Sequence, residues 1–192
     1  LMEISDEMCK RLLHHEGLYY PLGLGPHGLV SEALLLHMKS PAIHGALNMI
    51  YRYGITEDEA YAQKVYPYLR GVADFWEKDL VCRDGVYHVV GDGMHERTDG
   101  NIRDNGVPED PVNTLGYLKT FFTWMPRISE ALDLDEKKRE KWLEIAENLA
   151  PYPKGTIREI QENPTLWKEV DVKLEDLLPE EMLDKEIYYD EG

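Results

Sequence analysis

Basic side chains are scarce in this chain. Its 192 residues hold 21 Lys and Arg against 37 Asp and Glu, a formal net charge of −16. A polyanion would be repelled by such a surface, which excludes a nucleic-acid-binding module and argues against adhesion to an anionic membrane. Long apolar runs are missing as well. No stretch approaches the roughly 18 consecutive apolar residues that a spanning helix needs, so no membrane segment is expected. No basic stretch followed by an apolar one opens the chain, and no signal peptide is visible. Cysteine is limited to Cys9 and Cys82, which form neither a metal-binding spacing nor a disulfide framework. A cytoplasmic setting is therefore the default, and secretion stays open if residues precede Leu1. There is no Gly-x-Gly-x-x-Gly, no phosphate loop and no Gly-x-Ser-x-Gly, so nucleotide-binding and serine-hydrolase readings have no anchor. No repeat of fixed short period recurs.

What is present suits a packed acidic protein. Apolar residues make up 43% and include four Trp, enough for a real core and too many for a wholly disordered chain. Residues 2–15 read as a helix with Ile4, Met8 and Leu12 on one face. Glycines and prolines punctuate a loop from Gly17 to Gly28, and a short apolar helix is expected over 29–37. Ser40-Pro41 reads as a helix start, Ser as cap and Pro at the first position. That helix buries Ile43, Leu47, Ile50 and Tyr51, and Gly54 is expected to stop it. Thr56 with Glu59 forms a capping box for the next helix. Its stripe is Tyr61, Val65, Leu69, Val72, Trp76 and Leu80, and Pro67 is expected to kink it.

The pattern then changes. Residues 81–90 alternate around Asp84-Gly85, a hairpin signal. Residues 91–110 form a loop of about twenty residues, a length that in compact domains is often functional. Helix resumes near Val112 with the stripe Leu115, Leu118, Phe122, Met125, Ile128 and Leu132, interrupted by Pro126. Asp135 caps a shorter helix carrying Trp142, Ile145 and Leu149, ended by Pro151 and Pro153. Residues 157–192 hold 12 acidic and 4 basic side chains, half of the net charge. Two parts follow: helical pairs over 1–155 and a partly irregular acidic extension over 156–192.

The segment Gly91-Asp92-Gly93-Met94-His95-Glu96 is the most suggestive for chemistry. A glycosidase needs a carboxylic acid to protonate the leaving oxygen. A second carboxylate stands about 6.5–9.5 Å away for inversion or about 5–5.5 Å for retention. Glu96 beside apolar Met94 could have the raised pKa of a general acid. The same residues would also make an ordinary solvated acidic loop. His44 and Asn113 fall in the first turns of their helices, where exposed N–H groups attract polar ligands. Local backbone capping would explain them equally. The histidines form no zinc spacing such as His-Glu-x-x-His. Asp99, Asn101, Asp104, Glu109 and Asp110 have calcium-binding oxygens, but Arg103 takes a ligand position of the EF-hand spacing and Asp104 its required Gly. No metal and no other cofactor is expected.

Over about 40–155 the chain runs in a fixed order: SPAIHGALNMIYRY from Ser40, the turn Thr56-Glu57-Asp58-Glu59-Ala60-Tyr61, Tyr66-Pro67-Tyr68-Leu69-Arg70-Gly71, Ala73-Asp74-Phe75-Trp76, the hairpin, the Gly-rich loop and Pro151-Tyr152-Pro153. That order resembles the six-hairpin glycosidases, above all the α-L-fucosidase-like group known as glycoside hydrolase family ninety-five. Where that family has Ser-Pro before the acid, this chain has Met94-His95. The likeness implies an all-α fold, with antiparallel helical hairpins forming about half of an (α/α)6 toroid. It implies Glu96 as proton donor and Asp92, His95, His44, Asp110 and Asn113 as sugar-binding residues. The substrate would be a carbohydrate. A further polypeptide segment or chain would complete the barrel and supply the base, so this chain alone is expected to be inactive. The alternatives are a non-catalytic helical interaction domain and, more weakly, a lyase on the same toroid.

Overall fold

The computed structural model describes residues 2–20, 38–92, 109–162 and 176–188, and the side chain of Ile4 is not among them. The chain is mostly helical, with two small antiparallel strand pairs. The apolar helix expected over 29–37 lies outside the described residues. Among those described, no helix is long and apolar enough to cross a membrane.

Helix α1 spans Met2–Leu13. Of the expected inward face, Met8 packs half-buried against the core while Leu12 is exposed, and Ser5 and Cys9 are the fully buried positions. Ser5 tolerates burial because its hydroxyl donates to the Tyr19 carbonyl. The following turn docks on a later helix. Gly17, at φ 135°, lies so close to the Phe75 backbone that no Cβ would fit. The Leu18 amide donates to the Gly71 carbonyl at 2.8 Å.

Two helical hairpins form the body. Helix α2 covers Pro41–Thr56 and α3 covers Glu59–Asp79. Pro41 opens α2 as expected, but Gly54 does not end it. The helix stops three residues later at Glu57, whose left-handed backbone turns its N–H onto the Tyr53 carbonyl. Gly54 serves packing instead, since Trp124 lies over it and a Cβ there would sit 2.9 Å from that ring. The α2 core face is Ile43, Leu47 and Ile50 as expected, with Tyr53 in the place foreseen for Tyr51, which is exposed.

The cap of α3 is Asp58, whose carboxylate accepts from the Tyr61 amide at 3.0 Å. Thr56, expected in that role, instead donates to the Arg52 carbonyl at 2.8 Å. Leu69, Val72, Trp76 and Leu80 are buried, while Tyr61 and Val65 are half-buried; the helix runs through Pro67. Tyr68 reaches Ala42 and Arg52 stacks over Tyr61, so α3 returns antiparallel to α2.

Strands β1 (Val81–Arg83) and β2 (Val86–His88) pair as Val81↔His88 and Arg83↔Val86. Asp84 and Gly85 both have positive φ, the signature of the expected tight hairpin turn. Helix α4, Val112–Ala131, buries Leu115, Leu118, Phe121, Phe122, Met125 and Ile128. A 3₁₀ turn over Glu136–Lys138 leads into α5, Arg139–Glu147. Asp135 gives that turn no side-chain cap. Its carboxylate instead accepts from Tyr66 at 2.9 Å and Arg70 at 3.0 Å, joining the second hairpin to α3.

Arg139 bonds Ser129 while Lys119 reaches the Ala146 carbonyl, so α5 runs antiparallel to α4. Helices α2 and α4 lie side by side and run the same way: His44 stacks on Tyr117 near both starts, and Gly54 meets Trp124 farther along. Beyond Pro153, β3 (Lys154–Thr156) pairs with β4 (Glu186–Tyr188), with helices α6 (Ile157–Glu162) and α7 (Glu180–Leu183) between them. The ion pairs Lys154–Glu186, Arg158–Glu180 and Arg158–Asp184 that lace this extension are largely exposed, so they add little to its stability.

Candidate functional site

The parallel placement of α2 and α4 puts two helix starts next to each other, and Asp92 joins them. It is fully buried. One carboxylate oxygen accepts from the Lys39 amide at 2.7 Å, two residues before α2, and the other from the Thr114 hydroxyl at 2.7 Å, in the first turn of α4. The positive ends of both helices favour a negative group there. Burial acts the other way and prevails: it raises the Asp92 pKa above the ordinary carboxylate value, against the lowering effects of Thr114, the Lys39 amide and the Lys39 charge. Asp92 was expected to touch a sugar. With both oxygens engaged and no exposed surface, it ties the starts of α2 and α4 together.

A raised folded-state pKa fixes the sign of a pH effect. Asp92 supports stability fully below its unfolded value of about 3.8 and loses that contribution as pH climbs through its folded value. Asp92→Asn removes the charge and keeps an oxygen for the Lys39 amide. The variant is therefore expected to compare best with the native chain near neutral pH and to lose ground as the solution is acidified. The net difference should stay within about 1 kcal/mol. Urea midpoints across that range measure it.

Lys39 anchors the same corner with its side chain. Its ammonium donates to both oxygens of Asp79 at 2.9 Å and to the Val90 carbonyl at 2.9 Å. His15 lies 3.4 Å from Asp79 and its other ring nitrogen lies 3.5 Å from Cys9 Sγ. Cys, His and Asp in this order are the residue types of an activated thiol. However, Cys9 is fully buried, and burial together with the Asp79 and Asp6 charges pushes its pKa up to about 11. It is a packed thiol whose surroundings disfavour the thiolate.

Glu109 and Asp110 are pinned to the end of β2 and the residues after it. Val90 and Glu109 form an antiparallel bridge, and the Asp110 amide donates to the Val89 carbonyl at 2.8 Å. Asp110, at φ 54°, turns its carboxylate back. It accepts from the Val89 amide at 2.8 Å and from His88 Nδ1 at 2.7 Å. Glu109 accepts two bonds from the Arg83 guanidinium, at 2.9 and 3.0 Å, which holds its pKa below the ordinary carboxylate value. One donor atom each from His88, Glu109 and Asp110 lies within 4.8 Å of the others.

His44 is exposed and its ring stacks on Tyr117, 5.4 Å between centroids and 9° from parallel. Asn113 is exposed one turn before Tyr117 on α4. The structure thus brings His44 and Asn113 to neighbouring helix starts that Asp92 ties together. Asp110 stands at the loop exit beside β2. Glu96 and His95 lie outside the described residues, in the segment that Asp92 and Glu109 flank.

Lys39, Asp79, Thr114, Tyr117 and His88 were not singled out by sequence. Lys39 just ahead of a Ser-Pro helix start and Thr114 in a first turn were readable as helix-start positions. The Lys39–Asp79 pair, forty residues apart, leaves no local signal. Compared with models of known protein families and with curated proteins, the chain matches none.

Proposed function

We propose that the chain is part of a glycoside hydrolase, with Glu96 donating a proton to the leaving glycosidic oxygen. A further polypeptide supplies the second carboxylate and completes an (α/α)6 toroid. The observation that carries this reading is the root of the loop: Asp92 joins the starts of two parallel neighbouring helices. The segment bearing Glu96 springs from that point. Helix starts present N–H groups suited to hydroxyl and anionic ligands. Beside them, the His44–Tyr117 stack offers flat ring surface of the kind that packs on the apolar face of a sugar. Two hairpins with parallel first helices and antiparallel second helices are also what a segment of a helical toroid requires. The test is turnover of aryl and alkyl glycosides by the assembled enzyme carrying Glu96→Gln.

A second reading, a non-catalytic interaction domain, is favoured by the outward face of α2. Tyr51 is 51% and Ile55 is 85% exposed, one turn apart. Under that reading Glu96→Gln changes nothing measurable, and no glycoside is turned over.

A further inference from the structure

We propose that His88, Asp110 and Glu109 bind a divalent transition-metal ion, for which Zn²⁺ is the reference, and that the ion clamps Glu109 and Asp110, just ahead of α4, to β2. The donor set is one imidazole and two carboxylates, with one atom from each inside a 4.8 Å cluster. Mixed nitrogen and oxygen donors suit Zn²⁺ and its neighbours, whereas Ca²⁺ requires six to eight oxygens.

The backbone orients the set before any ion arrives. Asp110 Oδ1 accepts from the Val89 amide, leaving Oδ2 aimed at His88 Nδ1, 2.7 Å away. A backbone bond to the second oxygen of a ligating carboxylate is the kind of outer support that metal sites use. A carboxylate only accepts, so Nδ1 carries the proton of that bond. The ion takes Nδ1, and the neutral ring then carries its one proton on Nε2, a change of tautomer exchanged through solvent. Zn–N and Zn–O bonds near 2.1 Å set ligand atoms about 3.4 Å apart, so His88 and Asp110 open slightly and Glu109 closes in.

Arg83 competes with the ion, since its guanidinium holds both Glu109 oxygens. That pair is about half exposed, 47% and 42%, and exposed pairs separate at little cost. The competition gives this site a signature that the other described histidines do not share. Variants on its two sides shift affinity in opposite directions.

The test is calorimetric titration of the chain with zinc alone. One ion per chain is expected. His88→Ala and Glu109→Gln should each weaken it by about tenfold or more, and Arg83→Ala should tighten it by a few-fold, since about 1.4 kcal/mol of lost or gained interaction is tenfold in affinity. Glu109→Gln touches a half-exposed side chain, so it decides the matter if His88→Ala does not fold. No binding up to millimolar zinc, equal affinity in the native chain and Glu109→Gln, or weakening in Arg83→Ala would each overturn the proposal.

Discussion

Glu96→Gln is expected to lower turnover of alkyl glycosides by about 10²–10⁴-fold, the usual worth of a positioned general acid. Dinitrophenyl glycosides should lose far less. Their phenolate departs without needing a proton, so an enzyme lacking its acid still cleaves them. That contrast separates proton donation from sugar binding, because a lost hydrogen bond to the substrate would slow both leaving groups alike. Glutamine keeps the shape of glutamate and loses only the titrating proton, so the melting temperature should hardly move. Kinetics with the two leaving groups, beside a thermal melt, are sufficient. Equal losses for both would remove Glu96 from proton transfer. Unchanged turnover of both would remove it from the site and leave the interaction-domain reading.

Much of the helical frame was legible because period and punctuation agree there. Leu69, Val72, Trp76 and Leu80 recur at helical steps and are buried. Asp84-Gly85 supplies the two positive φ values that its hairpin turn demands. Helix ends were less legible, because one residue type serves several purposes. Gly54 looks like a stop, yet its missing side chain makes room for Trp124. Thr56 looks like a cap, yet Asp58 is closer to the helix start and a better acceptor, so Thr56 turns back to Arg52. Leu12, read as part of the buried face, is exposed, while Ser5 is buried and bonded to the Tyr19 carbonyl.

The candidate site divides in the same way. His44 and Asn113 were placed at helix starts by their turns alone, which is local information. The role of Asp92 was not local: an acid beside two glycines reads as a ligand-facing residue. Only the neighbouring helix starts, fifty-three residues before it and twenty-two after it, make it a buried tie.

Asp79→Ala is expected to cost about 3–5 kcal/mol, the penalty for leaving a buried charge without its partner. In a chain of this size that lowers the melting temperature by roughly 6–20 °C. Lys39 and Asp79 are only 13% and 7% exposed, and the carboxylate supplies two of the three acceptors around the ammonium. After truncation the ammonium keeps, among the described residues, only the Val90 carbonyl. Changing both residues, Asp79→Ala with Lys39→Met, should recover much of the loss, since no charge is then stranded.

The loop root should feel the single substitution too, because the amide of the same Lys39 holds Asp92. A Lys39 ammonium that swings toward water drags that amide with it. Hydrogen exchange at the backbone amide of position 39 should therefore rise in Asp79→Ala and return toward native rates in the double variant. Should the single and double variants melt together, the buried pair is not what fixes this corner. The hold on Asp92 would then rest on its own bonds to the Lys39 amide and the Thr114 hydroxyl.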